Sequence, residues 1–581
     1  MFVIRAIKKF NILLSSKQKK GLGLLLVLMI VGGLLEMVSV SAIVPFMNDV
    51  LNPDLLMEKS YVREICYYLN IKSSTTFLLF SSFVLAIVYI LKNIFLTYEY
   101  VMQYKFVYEN MYAIQTRLHQ SFIRQPYEYH LAVDSGKIIR LINTDTQQAF
   151  YMLTSVLNLL TESVVASILI VTLFVITPSI TISMGIIMVI LLVVIGFILK
   201  PVLKRTGERT NEASAKMYKW LLQSIQGIKE VIVMRKESFF LNQFGKNDRE
   251  YVNMTRKFNI LNIVPRFMIE GCCMGGIFVI VGVMIYIGEN LDKMIPMLTA
   301  VAMAALRLLP SVNRISTDIG NISYYEPMLD NVIESISSQE KYNKMLELDE
   351  HDPEVSLSPE FDIELNNITY HYPNNDKKIL DCANLYIKHG TSVGLIGTSG
   401  SGKSTTVDII LGLLKCTDGK VLIDGKDIKR DLGKWRNMVG YIPQTIFMLD
   451  DSIKANVAFG IEEKKIDDEA VWRALRDASL ECFVKSLPNG IDTQIGERGI
   501  CISGGQRQRI GIARALYLNP QVLLFDEATS SLDNETEKEI MAAIDNLHGE
   551  KTMIIIAHRL TTINGCDEVF RIENGKFIRE R

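Results

Sequence analysis

Between Leu22 and Leu309 the sequence returns repeatedly to apolar runs that only a bilayer accounts for. A helix needs about 20 residues to cross the hydrocarbon layer. Runs of this kind occupy 22–44, 76–97, 157–177, 182–198, 267–287 and 295–309, which predicts six spans. The first contains LGLLLVLMIVGGLL, which has no polar face. A helix in a water-soluble bundle would need one.

Lysine and arginine collect on cytoplasmic flanks. The N-terminal MFVIRAIKKFNILLSSKQKK has six basic residues and no acidic one, and 101–151 and 200–257 fall on the same side. The other side receives the acidic-leaning stretch 47–74 and the short turns TPS and GENLDK. Both termini are therefore expected in the cytoplasm. No small-residue cleavage site follows the first apolar run, so the N-terminus reads as an amphipathic helix lying on the membrane and not as a signal peptide. The long polar segments 101–151 and 200–257 look helical, so spans two to five should continue well beyond the membrane.

Apolar residues make up 49% of the chain beside 22% charged ones, and the mean hydropathy is +0.21, so apolar and charged material occupy separate regions. A net charge of -1 gives no case for a nucleic-acid binder. The eight cysteines show no CxxC or His/Cys spacing that would hold zinc, which leaves reduced structural thiols.

The polar stretch SSQEKYNKMLELDEHDPEVSLSPE reads as a linker over 337–360, dividing a membrane domain at 1–336 from an α/β domain at 361–581. In the latter, GTSVGLIG, KVLIDG, QVLLFDE and TMIIIAHR alternate with helix-like stretches, which predicts a mainly parallel sheet. GTSGSGKST follows a strand-like run and precedes a helix-like one, the setting a phosphate-binding loop requires. Gly397, Thr398, Ser399, Gly400, Ser401, Gly402, Lys403, Ser404 and Thr405 would wrap the phosphates of ATP. Lys403 would neutralise the β and γ groups, and Ser404 would ligate Mg2+. VLLFDE ends a buried strand in Asp526, for the Mg2+ shell, and Glu527, placed to polarise the attacking water. ISGGQRQRIGIARAL supplies a second anion-holding turn at a helix start, followed by Arg507, Arg509 and Arg514.

Over essentially its whole length the chain resembles the ATP-binding cassette (ABC) transporters of the exporter type. ISGGQ is similar to that family's LSGGQ signature, with Ile502 in place of leucine. In the family two nucleotide domains pair head to tail, so the resemblance implies that Ser503, Gly504, Gly505 and Gln506 of one chain cover the ATP held by another. One such domain per chain implies a homodimer or a second half-transporter. By the same resemblance Tyr372 stacks on adenine, Gln444 senses the γ-phosphate and Mg2+, and Asp533 links the paired sites. His558 is the switch histidine, and TQIGERG, around Glu497, couples the cassette to the membrane helices.

The cargo must be read from the spans. Lys92, Arg266, Arg307 and Arg314 lie in or beside them, with Arg307 and Arg314 on one helix face unless Pro310 kinks the helix. Such cations either face a wet cavity or pair internally with Glu36, Glu162 or Glu270. These segments resemble bacterial flippases of lipid-linked oligosaccharides, in which a basic belt faces the transport cavity. Lys92 stands where that family has an arginine, and LMEKSYVREICYYLN resembles its short external helix. The reading is an ATP-driven flippase of a polyprenyl-pyrophosphate glycolipid in the bacterial inner membrane. An exporter of lipids or hydrophobic drugs is the alternative for cargo. A non-transporting ABC ATPase is the alternative of a different class, opposed by the six spans.

Overall fold

A computed structural model describes the chain except residues 1, 43–45, 47–48, 51–59, 70, 72, 177, 288–290, 348–359, 373–376, 497–498, 528–547 and 558–562. It forms two compact units, one of Met1–Gln125 with Ala132–Tyr342 and one of Pro126–Leu131 with Asn343–Arg581.

The first unit is helical. Helices α1 (Phe2–Leu13), α2 (Ser16–Ser41), α3 (Ser60–Leu69) and α4 (Ser74–Ile123) come first. The six-residue α5 (Tyr127–Ala132) then falls almost wholly in the second unit. Next are α6 (Ser135–Arg140), a π-helical turn (Leu141–Asp145), α7 (Thr146–Ile176), α8 (Pro178–Gln226), α9 (Ile228–Val233), α10 (Glu237–Ile287) and α11 (Leu291–Glu347). The six sequence-predicted spans fall in order on α2, α4, α7, α8, α10 and α11, with 43–44 of the first and 177 of the third outside the described residues. Among the described residues, Ser16–Glu36, Ser74–Ile123 and Ser135–Ile168 are long and apolar enough to cross a membrane. Helix α4 has 50 residues, α8 has 49, α10 has 51 and α11 has 57. At 1.5 Å per residue each is about 75 Å or longer, against a hydrocarbon layer of about 30 Å, so each must continue far outside it.

Two expectations change in this unit. Helix α1 is more than a membrane-surface helix: Ala6, Phe10 and Leu13 are buried in a core shared with Val107, Phe150 and Leu153. Lys9 binds Glu326 at 2.9 Å and Asp330 at 2.6 Å, while Ile4 and Ile12 stay exposed on the remaining surface. The expected linker does not begin at 337, because α11 runs on to Glu347. Its Gln, Glu, Lys, Met and Leu residues are good helix formers, and no glycine or proline interrupts them before Pro353. Pro310 also leaves α11 continuous, so residues 307 and 314 share one helix.

The second unit holds two sheets. Strands β1 (Ile363–Tyr370), β2 (Leu380–Ile387), β4 (Asp418–Ile423) and β5 (Lys426–Asp427) form an antiparallel sheet in the order β2-β1-β4-β5. The other sheet has the order β10-β9-β3-β8-β7-β6, from β3 (Ser392–Ile396), β6 (Val439–Ile442), β7 (Val522–Asp526), β8 (Thr552–Ile556), β9 (Glu568–Glu573) and β10 (Lys576–Arg579). It is parallel apart from the β9–β10 pair. The mainly parallel sheet is therefore present, but KVLID belongs to the separate antiparallel one. Burial explains the split: β7 and β8 are buried at every position, as in a sheet covered on both faces, whereas β2 alternates. Because β6, β7, β8 and β3 are parallel neighbours, their C-terminal ends gather the residues that follow them at one edge. Ligands bind at that edge in open α/β sheets.

Candidate functional site: a nucleotide site and a charged cavity

The loop after β3 turns into α12 (Lys403–Ile410) through Gly402, whose φ of +109° suits glycine. No side chain caps α12, so its first N–H groups are left for an outside acceptor. The buried Lys403 folds its Nζ over the loop, donating to the carbonyls of Gly397 at 2.9 Å and Thr398 at 3.1 Å. Burial lowers its pKa, against the pull of Glu527 and Asp526. Ser401 Oγ is buried without a hydrogen-bond partner among the described residues, and a Cβ on Gly400 would meet nothing within 4 Å. An open loop crest, uncapped N–H groups and an orphan hydroxyl fit a polyphosphate. Ser399 and Thr405 complete this loop.

A divalent ion fits beside it. Ser404 Oγ donates to Asp526 Oδ1 at 3.3 Å across 122 residues of sequence. Burial raises the pKa of Asp526. Glu527 has φ +51°, a left-handed backbone that a non-glycine residue adopts only under constraint. Its N–H donates to the carbonyl of Ile556 at 3.1 Å, which ties the turn to the end of β8. Its carboxylate accepts from Gln444 Nε2 at 2.7 Å. Gln444, which follows β6, and Glu527, which follows β7, thus meet as a fixed pair next to the Asp526–Ser404 pair. This arrangement can hold ATP with Mg2+ and orient a water at its terminal phosphate.

The remaining sequence-predicted residues divide. Tyr372 packs edge-on against Tyr370, and its hydroxyl lies 3.3 Å from Thr405 Oγ1. Ser503 caps α13 (Gly504–Leu516) in a reciprocal box with Gln506: Gln506 N donates to Ser503 Oγ at 3.2 Å and Ser503 N to Gln506 Oε1 at 2.9 Å. A Cβ on Gly504 would meet nothing within 4 Å, so the turn is open to a ligand, and Gly505 continues it. The three arginines beyond it face inward instead. Arg507 donates to Gly499 O and Arg509 to Ser479 O. Arg514 donates to Asn456 O and Phe447 O, and its guanidinium lies 4.5 Å from the Phe459 ring. Glu497, Asp533 and His558 lie outside the described residues.

Two residues at this site escaped the sequence reading. Tyr441 donates its phenol to Asp526. Asp408, on α12, has its carboxyl pushed up to about 6 by burial, with Asp526 adding to the rise. The available signal was the single acid inside the otherwise apolar TVDIILGLL. The segment 126–131 also belongs to this unit: Glu128 accepts from the Lys415 N–H at 3.2 Å.

Family models match both parts of the chain, ABC transporter over 380–530 and ABC transporter transmembrane region over 21–292. The chain belongs to the ABC transporter family. It is 42% identical over 219 residues to an ATP-dependent lipid A-core flippase of Yersinia pestis bv. Antiqua (strain Antiqua), covering 37% of each chain. It is 41% identical over 218 residues to the protein of that name in Escherichia coli (strain K12), with 37% of each covered. The match to the ABC transporter BEA3 of Gibberella fujikuroi is 39% identical over 227 residues, 39% of this chain and 17% of that one. These matches thus span well under half the length of the curated relatives. In fold the transporter is similar to a bacterial Atm1-family ABC exporter solved with ATP bound, with a TM-score of 0.76, 21% identity and coverage of 96% of this chain and 94% of that one.

In the transporter's membrane unit the predicted cations do not form a purely basic belt. Lys92 lies 4.0 Å from Glu36 and 5.2 Å from the centre of the Tyr89 ring. Arg314 binds Glu162 at 2.5 Å. Arg266 and Arg314 do line one cavity of about 540 Å3, but Glu162, Glu270 and Asp318 line it too. Arg307 lies on α11 within the stretch whose side chains are not described.

The Arg314–Glu162 pair makes a prediction. The Glu162 side chain is only 8% exposed, so Arg314→Gln leaves a buried carboxylate alone. Because the Arg314 side chain is 60% exposed, solvent screens part of the cost, and a loss of about 1–2 kcal/mol is expected. Adding Glu162→Gln should recover most of it. Thermal unfolding of the detergent-solubilised transporter measures both, and additive losses would show that the pair is not coupled.

Proposed function

We propose that the transporter works as one half of an ATP-driven exporter, paired with a second copy or a related half-transporter. It would carry a lipid across the bacterial inner membrane, with both termini in the cytoplasm. The observation that carries the energetic half is the meeting of Gln444 with Glu527 beside Ser404 and Asp526, at the strand ends above an uncapped phosphate loop. The loop N–H groups and Lys403 would bind the β and γ phosphates. Ser404, Asp526 and Gln444 would hold Mg2+, which supplies charge neutralisation at the transferring phosphoryl group. Glu527, fixed by Gln444, would accept a proton from the attacking water. Tyr372 would cover the adenine. Asp533 and His558 are assigned to this site by family resemblance alone.

ISGGQ explains why one chain has two anion-holding turns: each is half of a site completed by a partner. Nucleotide binding would then close the two ATP-binding units and switch the spans between inward and outward access. Segment 126–131, as part of the ATP-binding unit, is the coupling element we assign to that step.

For the cargo, lipid A-core flippases among the relatives favour a lipid over the lipid-linked oligosaccharide read from the spans. The mixed charge of the cavity points the same way, because a pyrophosphate would sit beside the Glu270 carboxylate. The shared position of Arg266 and Arg314 is what keeps the glycolipid as a second reading. Proteoliposomes decide between them. ATP-dependent movement of a fluorescent phospholipid, with little movement of a polyprenyl-pyrophosphate oligosaccharide, is expected. Movement of the glycolipid alone would reverse the assignment.

A further inference from the structure

The cavity lined by Arg266, Glu270, Arg314 and Asp318 sits at a definable depth. Its lining comes from Tyr100 just after span two, 158–162 at the start of span three, 266–270 at the start of span five and 309–318 from the end of span six. All four are span ends that the lysine and arginine distribution assigns to the cytoplasm. The cavity therefore lies where the head groups of the inner leaflet lie. Its volume of about 540 Å3 is ample for a head group.

The charges in it are sorted. Arg314 and Glu162 neutralise one another at 2.5 Å. Asp318 is buried, with a hydrogen bond from Ser155. Arg266 and Glu270 are exposed one helical turn apart on α10, and neither forms an ion pair among the described residues. Residues at this spacing are surface neighbours, roughly 5–6 Å apart at Cβ. A ligand there meets one cation and one carboxylate side by side, with the buried Asp318 side chain behind them in the same wall. A phosphate-only group would gain Arg266 but be repelled by Glu270. A simple cation would be repelled by Arg266.

Resting on the lipid reading above, we infer that this cavity binds a zwitterionic lipid head group from the inner leaflet, its phosphate on Arg266 and its protonated amine on Glu270. Charge-assisted contacts of this kind are stronger at a partly dehydrated interface than in water.

The test is native mass spectrometry of the full-length transporter in detergent, with equimolar phosphatidylethanolamine, phosphatidic acid and a phosphate-free dialkyl dimethylammonium lipid in competition. The wild type should retain phosphatidylethanolamine about fivefold over either competitor, a difference near 1 kcal/mol. Glu270→Gln should shift retention towards phosphatidic acid and Arg266→Gln towards the cationic lipid. Glu270→Asp should keep the wild-type order, which separates charge from misfolding. Equal retention of phosphatidic acid by the wild type, or an unchanged order in Glu270→Gln, would overturn the inference. So would complete displacement of the lipid by equimolar soluble phosphoethanolamine, which would assign the site to a free solute. Selective retention without ATP-driven lipid movement in proteoliposomes would sink the transport reading and leave the head-group site standing. Lipid movement without any head-group preference would do the reverse.

Discussion

Glu527→Gln should bind ATP within about twofold of the wild type and lose steady-state hydrolysis by about 10²–10⁴-fold, the range a positioned general base contributes. The phosphate loop, Lys403 and the Ser404–Asp526 pair are untouched by the change, so the nucleotide keeps its anchors. What disappears is the negative oxygen that Gln444 holds at 2.7 Å. An amide can still face Gln444, but it cannot take a proton from water. Fluorescent-nucleotide binding and phosphate release on the same purified sample measure both quantities. Near-normal turnover would move water activation to another group.

Mixed dimers carrying Lys403→Ala in one chain and Ser503→Arg in the other should bind one ATP, because in the proposed head-to-tail pair both changes fall on the same composite site. With both changes in one chain, each site loses a half, and no stable binding is expected. Ser503→Arg acts in two ways: it removes the capping box with Gln506, at about 1 kcal/mol, and it fills the open turn in front of Gly504 with a long side chain. Stoichiometry by equilibrium dialysis separates the two arrangements. Equal values would mean that the signature turn does not act across a dimer. Unequal values obtained only after Ser503→Arg lowers the melting temperature would instead report the lost cap, so thermal unfolding is measured alongside.

The strand–loop–helix setting of the phosphate loop, the acids ending the buried VLLFDE strand and the helix-starting turn of ISGGQ were legible because each is set by a few adjacent residues. The arginines of ISGGQRQRIGIARAL show the limit of that reading. Next to an anion-holding turn they suggest ligand contacts, yet Arg514 is used inside the unit, where burial lowers its pKa to about 10. Its partners, Phe447, Asn456 and Phe459, lie more than fifty positions upstream, and no local pattern names them. Tyr441 escaped for the same reason, since YIPQ marks Gln444 but not the phenol that reaches Asp526 on the neighbouring strand.

By itself the sequence determined the order of the long apolar helices, the strand–loop–helix setting of the phosphate loop, the acids that end a buried strand and the division into a helical and an α/β part. Those depend on composition and spacing over short windows, where hydrophobic transfer and backbone geometry are local and nearly additive. The tertiary structure decided which charges cancel. Arg314 meets Glu162 across 152 positions, Lys92 lies near Glu36, and a cavity expected to be basic becomes mixed in charge. It also decided that α11 runs on to Glu347 and that residues 126–131 join the ATP-binding unit. Electrostatic pairing depends on distance in space and on burial, and both are set only when helices far apart in sequence pack against each other.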